Sequence, residues 1–191
     1  MTESVRSFVA VPLPAQIQAS VFAAARELAR ALPDIKWSRK VENLHITVKF
    51  LGPVAEERLA EIGAALAEAL GSLPRFTIEL RGMGAFPSPR KASVVWAGVE
   101  DAAHGLSAVA DVVEGVGERF GFARERRPFT GHVTVGRSKG RGGVDAGRAL
   151  DAFAGRAFGA TTVDEVHVYE SRLGGEGSTY VLRSRAALAA N

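Results

Sequence analysis

Two four-residue strings decide the fold of this chain, His45-Ile46-Thr47-Val48 and His132-Val133-Thr134-Val135. In a β-strand, side chains alternate between two faces with a period of two residues. Each string therefore places a histidine and a threonine on one face and two apolar side chains on the other. One alternative is an ordinary half-buried strand whose polar face meets water. However, only four histidines occur in 191 residues, so two such strings would be a rare coincidence.

The surroundings of the two strings repeat as well. A strand-like run at 8–11 and then a helical stretch precede the first string, and a run at 94–99 and a second helical stretch precede the other. Each string is followed by a further helix-like segment and a strand. We therefore predict an α+β fold made of duplicated β-α-β units, with two mainly antiparallel sheets flanking a central cleft and helices on the outer faces. Residues 1–191 would form a single bilobal domain with two pseudo-symmetric halves. The β-α-β steps leave a parallel sheet open as the alternative.

Hydrophobic periodicity locates the individual elements. Helices are predicted over 15–32, 55–70, 102–120 and 145–154, and strands at 6–11, 43–50, 76–81, 93–99, 131–136, 162–169 and 179–184. Asp101 is expected to cap the third helix, although Gly115 and Gly117 weaken that prediction. Glycine and proline content predicts loops at 82–89 and 138–143.

Composition restricts the possible functions. The chain has no cysteine, which excludes disulfides, thiolate catalysis and cysteine-type zinc sites. No apolar stretch approaches the ~20 residues needed to span a bilayer, and the N-terminus does not resemble a signal peptide. We therefore expect a cytoplasmic protein without a membrane partner. A net charge of +3 and a sequence pI of about 9.6 favour a ligand that carries phosphate.

The polar faces of the two strings predict acid/base chemistry. An unperturbed imidazole titrates near ~6.5, so a neutral and a protonated histidine can coexist near neutral pH. One can accept a proton from water while the other donates a proton to a leaving oxygen. Thr47 and Thr134 can donate hydrogen bonds to phosphate oxygens, and alternation places Lys49 on the face of His45 and Thr47.

Arg137 follows the second string and is a candidate phosphate clamp. The alternative for Lys49 is a solvated surface charge, and for Arg137 a structural salt bridge. Of the other histidines, His104 is expected to be exposed and His167 to lie on a sheet surface. No third ligand accompanies the two strings, so neither a metal ion nor a cofactor is predicted.

With both histidine strings and their surroundings, the chain resembles a known superfamily, the 2H phosphoesterases. The resemblance rests on Asn-Leu-His-Ile-Thr-Val-Lys-Phe-Leu-Gly at 43–52 and Gly-His-Val-Thr-Val-Gly-Arg at 131–137. It is closer still to the RNA 2',3'-cyclic phosphodiesterases, also called 2'-5' RNA ligase-like proteins. Further segments resemble this family's opening strand, central loop and closing segment: 6–14, 82–87, 169–173 and Tyr180.

The resemblance implies metal-independent opening of a 2',3'-cyclic phosphate to a 2'-phosphomonoester. It assigns His45 as proton donor and His132 as proton acceptor, with Thr47 and Thr134 holding the phosphate. The expected partner is RNA with a 2',3'-cyclic phosphate end or a small cyclic nucleotide, bound by a monomer. The alternatives are 2'-5' RNA ligation and a non-catalytic RNA- or nucleotide-binding module. Gly131 replaces the family's usual proline and leaves the entry into the second string less fixed.

Basic and aromatic residues elsewhere in the chain are candidates for RNA contact. They are Lys36, Arg39, Lys40, Arg90, Lys91, Arg124, Arg126, Arg127, Trp37 and Phe129. The alternative is a solvated basic face with core aromatics.

Overall fold

The chain folds into nine β-strands and four α-helices, which a computed structural model describes for residues 4–175 and 177–190. The strands are β1 (Ser4–Pro12), β2 (Ile35–Trp37), β3 (His45–Ala55), β4 (Phe76–Phe86), β5 (Val94–Glu100), β6 (His132–Ser138), β7 (Ala157–Val163), β8 (Glu165–Gly174) and β9 (Gly177–Ala187). The helices are α1 (Ala15–Ala29), α2 (Glu56–Leu70), α3 (Gly105–Arg119) and α4 (Gly147–Asp151). The predicted α+β class is confirmed.

Every pairing between these strands is antiparallel. The strand order is β7-β4-β5-β6-β3-β1-β8-β9, with β2 on β6 as a branch. The β6–β3 junction is made by the single pair Ile46–Val133, with β2, β4, β5, β6 and β7 on one side and β1, β3, β8 and β9 on the other. The two expected sheets are joined at this pair, and the two histidine strings meet there.

The first sequence repeat contains β1, β3 and β4, and the second contains β5, β6 and β8. The third strand of each repeat pairs with a strand of the other repeat. β4 follows the first string in the chain but pairs with β5, whereas β8 follows the second string and pairs with β1. This exchange makes the groups β3-β1-β8 and β6-β5-β4 equivalent in order. The description of residues 1–191 as one bilobal domain remains a prediction.

The helices cover the face opposite the polar side chains of the strings. Ile46 and Val133 are fully buried in one apolar cluster with the inner faces of α1, α2 and α3. The Asp101 carboxylate accepts hydrogen bonds from the backbone N–H groups of Gly105 and Leu106 and so caps α3 as predicted, although the helix begins later and His104 occupies its N-cap position. No helix among the described residues is both long and apolar enough to cross a membrane.

One predicted loop is wrong over most of its length. β4 continues through residues 82–86 because its glycines permit close packing rather than a turn. A Cβ on Gly84 would lie 2.3 Å from the Trp96 ring, and one on Gly82 would lie 2.7 Å from the Ala154 carbonyl oxygen. The predicted strand 162–169 is instead divided at Asp164 into the end of β7 and the start of β8.

Candidate active site

The two histidine strings lie side by side across the β3–β6 junction. Because Ile46 is opposite Val133 in an antiparallel pair, His45 falls opposite Thr134 and Thr47 opposite His132. The two histidines are thus diagonal neighbours, which in antiparallel strands lie roughly 7–8 Å apart. Such a separation leaves room for one small anion between the rings.

Both imidazoles are fixed in the same way. Nδ1 of His45 lies 2.7 Å from the carbonyl oxygen of Asn43, and Nδ1 of His132 lies 2.8 Å from that of Thr130. A carbonyl oxygen can only accept, so each Nδ1 carries a proton and donates it to the residue two positions earlier. Nε2 is therefore the reactive atom of each neutral ring. At His45, the Thr47 hydroxyl lies 2.9 Å from Nε2 and donates to it.

An aromatic cage surrounds His45. Phe8 stacks on its ring with centroids 4.9 Å apart, and Tyr180 meets it edge-on at 5.3 Å. Tyr169 stacks in turn on Phe8 at 5.4 Å. Burial lowers the pKa of His45 to about 4; the hydrogen bond to Asn43 opposes this shift, and the charge of His132 adds to it. His45 is therefore neutral at pH 7 before a ligand binds.

His132 has a more open environment. Phe86 contacts its ring edge-on at 5.1 Å. The two histidines thus differ in surroundings although they match in backbone contacts, and this difference suits one donor and one acceptor.

A β-bulge after each string decides which basic side chain reaches the cleft. Register shifts leave Val48 of β3 and Val135 of β6 without a pairing partner, three residues after each histidine. A bulge inserts one residue and thereby reverses the face of those that follow. The alternation expected from the sequence ends at these two positions.

The prediction that Lys49 assists at the cleft is therefore wrong. The bulge turns Lys49 to the buried face, where it is 7% exposed and its Nζ lies 2.6 Å from the Glu114 carboxylate of α3. Nζ also donates to the Ala123 carbonyl oxygen at 2.9 Å. The second bulge has the opposite result, because it brings Arg137 onto the cleft face.

The cleft is a cavity of about 550 Å³ between two walls. β3 provides His45 and Thr47, and β9 provides Tyr180, while β6 provides Thr134 and Arg137. Arg137 is close enough to Tyr180 that its charge offsets part of the rise that burial causes in the pKa of that phenol. The structure thus brings four of the predicted site residues into one cavity, with His132 at the same strand junction.

The cleft is electropositive. No aspartate or glutamate lines it among the described residues, whereas five basic side chains do: Arg6, Lys36, Arg39, Lys40 and Arg137. Of the other RNA-contact candidates, Trp37 also lines the cleft, with its indole N–H bonded to the Leu32 carbonyl oxygen at 3.2 Å. The remaining candidates lie outside the cavity wall.

The other two histidines lie outside the cleft. His104 is exposed, as expected. His167 is buried rather than at a sheet surface, with Nδ1 2.8 Å from the Tyr169 hydroxyl and Nε2 2.6 Å from Glu165. No cluster of three or more metal-ligating side chains occurs within 4–175 and 177–190.

Sequence reasoning missed the aromatic cage. The sequence places Phe8, Tyr169 and Tyr180 in segments that resemble the family, but it does not indicate that they contact His45. Their convergence on His45 depends on the pairing of β1 with both β3 and β8. Local periodicity carries no signal for such pairings.

A fold of this topology with two His-x-Thr strands at a central junction defines a phosphoesterase. The LigT-like phosphoesterase model matches residues 11–96. An RNA 2',3'-cyclic phosphodiesterase of Archaeoglobus fulgidus is 35% identical over 175 residues, which cover 92% of this chain and 96% of that protein. One of Aeropyrum pernix is 39% identical over 140 residues, covering 73% and 78%. The chain belongs to the LigT-like family of RNA 2',3'-cyclic phosphodiesterases.

The solved structures agree with this assignment. Crystalline Escherichia coli LigT in complex with 3'-AMP matches with a TM-score of 0.78 and 26% identity, covering 97% of this chain and 99% of that one. The same protein in complex with phosphate matches with a TM-score of 0.70 and 25% identity, over 98% and 99%. The family and the enzyme class that the sequence predicts, a cyclic phosphodiesterase, are both confirmed.

Proposed function

We propose that this enzyme hydrolyses 2',3'-cyclic phosphodiester ends of RNA to 2'-phosphomonoesters without a metal ion. The observation that supports this most is the pair of imidazoles at one strand junction, each with Nδ1 held by a backbone carbonyl and Nε2 left for proton transfer. The names of the relatives point to the same reaction. Two imidazoles suffice for both proton transfers that the reaction needs.

The proposed mechanism uses one proton acceptor and one proton donor. Nε2 of His132 removes a proton from water as the water oxygen attacks phosphorus. The bond from phosphorus to the 3' oxygen breaks, and His45 gives its Nε2 proton to that oxygen. The product carries a phosphate on the 2' oxygen and a free 3' hydroxyl. Thr47, Thr134 and Arg137 would hold the non-bridging oxygens as negative charge builds on them.

His45 must gain a proton before it can donate one. Because its pKa is lowered, the His45 ring is neutral at pH 7 before substrate binds. A phosphodiester anion beside the ring favours the charged form and so offsets the effect of burial. We propose that His45 takes up its proton together with the substrate. The reverse assignment, with His45 as acceptor, would need no such uptake.

Turnover of 2',3'-cyclic AMP and of a short RNA with a 2',3'-cyclic end, measured in EDTA, tests the function. The expected product is the 2'-phosphate, identified by chromatography against the 3' isomer. His45→Ala and His132→Ala should each lower kcat about 10²–10⁴-fold, while the exposed His104→Ala should not. Full activity in either His45→Ala or His132→Ala, or activity that disappears in EDTA, contradicts the proposal.

The two alternatives predict different products. Ligation uses the same groups in reverse, so joined 2'-5' RNA halves would appear when a 2',3'-cyclic end meets a free 5' hydroxyl. A binding module would retain RNA and release no product after long incubation. Cytoplasmic location and a monomeric state stay predictions, and size-exclusion chromatography tests the latter.

A further inference from the structure

Two large apolar side chains stand exposed at the outer rim of the cleft. Phe50 is 68% exposed and Leu173 is 72% exposed, and both line the cavity that contains His45. Across the described residues, the only other exposed large apolar side chain is Leu182, which is 37% exposed and does not line this cavity. The two most exposed large apolar side chains of the described residues thus lie beside the site of chemistry.

We infer that Arg6, Phe50 and Leu173 form a subsite, here called the outer subsite, for the nucleotide on the 5' side of the cyclic phosphate. This inference rests on the proposed function. It makes an oligonucleotide end, rather than a cyclic mononucleotide, the preferred substrate.

The strands connect the outer subsite to His45. The β3 bulge that turns Lys49 inward brings Phe50 onto the cleft face, five residues beyond His45. Phe8 bridges the two, with ring centroids 4.9 Å from His45 and 6.2 Å from Phe50. The Phe8 ring thus lies between Phe50 and His45, so Phe50 does not contact the phosphate that would react there. We assign Phe50 to the nucleotide next to the one that carries this phosphate, and a comparison of trinucleotide and mononucleotide substrates distinguishes the two positions.

The chemistry of the outer subsite fits a single-stranded nucleic acid. An exposed aromatic ring accepts the flat face of any base, and an adjacent cation binds the backbone phosphate. Arg6 lines the same cavity and has no carboxylate partner within residues 4–175 and 177–190. Positive charge along the rim disfavours a cationic partner and favours a polyanion. RNA is therefore the occupant to which the inference commits.

The test compares kcat/KM for 2',3'-cyclic AMP with kcat/KM for a trinucleotide that ends in the same cyclic nucleotide. Phe50→Ala should lower the trinucleotide-to-mononucleotide ratio about tenfold, and Phe50→Trp should restore it because a ring is present again. Leu173→Ala should lower the ratio as well. Leu182→Ala, an exposed leucine on β9 outside the cavity, is the matched control and should leave it unchanged.

Arg6 is tested through salt dependence. Arg6→Ala should reduce the loss of trinucleotide kcat/KM between 50 and 200 mM salt, since one phosphate contact fewer is made. Arg75→Ala removes an exposed arginine outside the cavity and should leave the salt dependence as in the wild type.

The outcomes separate the outer subsite from the proposed function. If the wild type turns over neither substrate, the proposed function fails. If it turns over both but Phe50→Ala leaves the ratio within twofold, only the outer subsite fails. If size-exclusion chromatography shows a wild-type dimer that Phe50→Ala converts to a monomer, the rim binds a second copy of the chain and the inference is overturned.

Discussion

The buried ion pair between Lys49 and Glu114 yields the most quantitative prediction. Lys49 Nζ lies 2.6 Å from the Glu114 carboxylate, and the two residues are only 7% and 9% exposed. The Glu114 carboxylate also accepts from the backbone N–H of Glu125 at 3.3 Å. Glu114→Gln keeps the shape of the side chain but leaves the ammonium group buried without its counter-charge. Breaking a buried pair in this way costs about 3–5 kcal/mol.

Equilibrium urea denaturation and thermal unfolding measure this cost. For a protein of this size each kcal/mol changes Tm by about 2–4 °C, so Glu114→Gln should lower Tm by roughly 6–20 °C. Glu118 lies one turn further along α3 and pairs with Arg124 at 3.3 Å in an exposed position. Its variant Glu118→Gln is the matched control and should cost less than about 1 kcal/mol.

A double variant shows whether the charge itself is responsible. Lys49→Met with Glu114→Leu removes both charges and should regain most of the lost stability, because no unpaired charge remains buried. The reasoning is refuted if Glu114→Gln costs no more than Glu118→Gln, or if the double variant is no more stable than Glu114→Gln alone.

Three further predictions concern single positions. Gly115→Ala should stabilise the protein by about 1 kcal/mol, because a Cβ there meets nothing within 4 Å. Gly117→Ala should not stabilise it, because its Cβ would lie 2.9 Å from Cε of Lys49. Urea denaturation measures both free energies of unfolding, and equal effects would contradict this account. The pKa of His45 is lower in the folded chain than its ordinary 6.5, so the neutral ring contributes about 3 kcal/mol of stability that is fully present above pH 6.5 and is lost as pH falls towards 4. His45→Gln should remove this part of the pH dependence of the free energy of unfolding. An unchanged pH dependence in the variant would refute the prediction. Sulfate, an anion that does not titrate near neutral pH, should bind at pH 6 with uptake of up to one proton by His45. Calorimetry in buffers of different ionisation enthalpy measures the number of protons taken up. Binding without proton uptake would favour His45 as the proton acceptor.

The sequence predicted the site through local patterns. A period of two places His45 with Thr47 and His132 with Thr134, and two similar surroundings indicated that the copies meet. In the structure, the two copies are joined by the single pair Ile46–Val133. The third strands of the copies could not be assigned, because β4 and β8 pair across the repeats and such long-range pairings leave no local signal.

Bulges explain the main error at the site. Nothing in the composition of residues 45–50 marks Val48 as the inserted residue, yet it sends Lys49 to α3 and Phe50 to the cleft. Gly117 lowers the helix propensity of α3 but gives the Lys49 side chain room to pass. Both features follow from packing between distant segments rather than from propensity.

A crystal structure of the protein with sulfate or inorganic phosphate tests the central claim most directly. We predict one anion at the β3–β6 junction, within hydrogen-bond distance of Nε2 of both His45 and His132, with the hydroxyl groups of Thr47 and Thr134 turned towards it. An anion that contacts only one histidine, or imidazole rings too far apart to share it, would contradict two-histidine catalysis at this site.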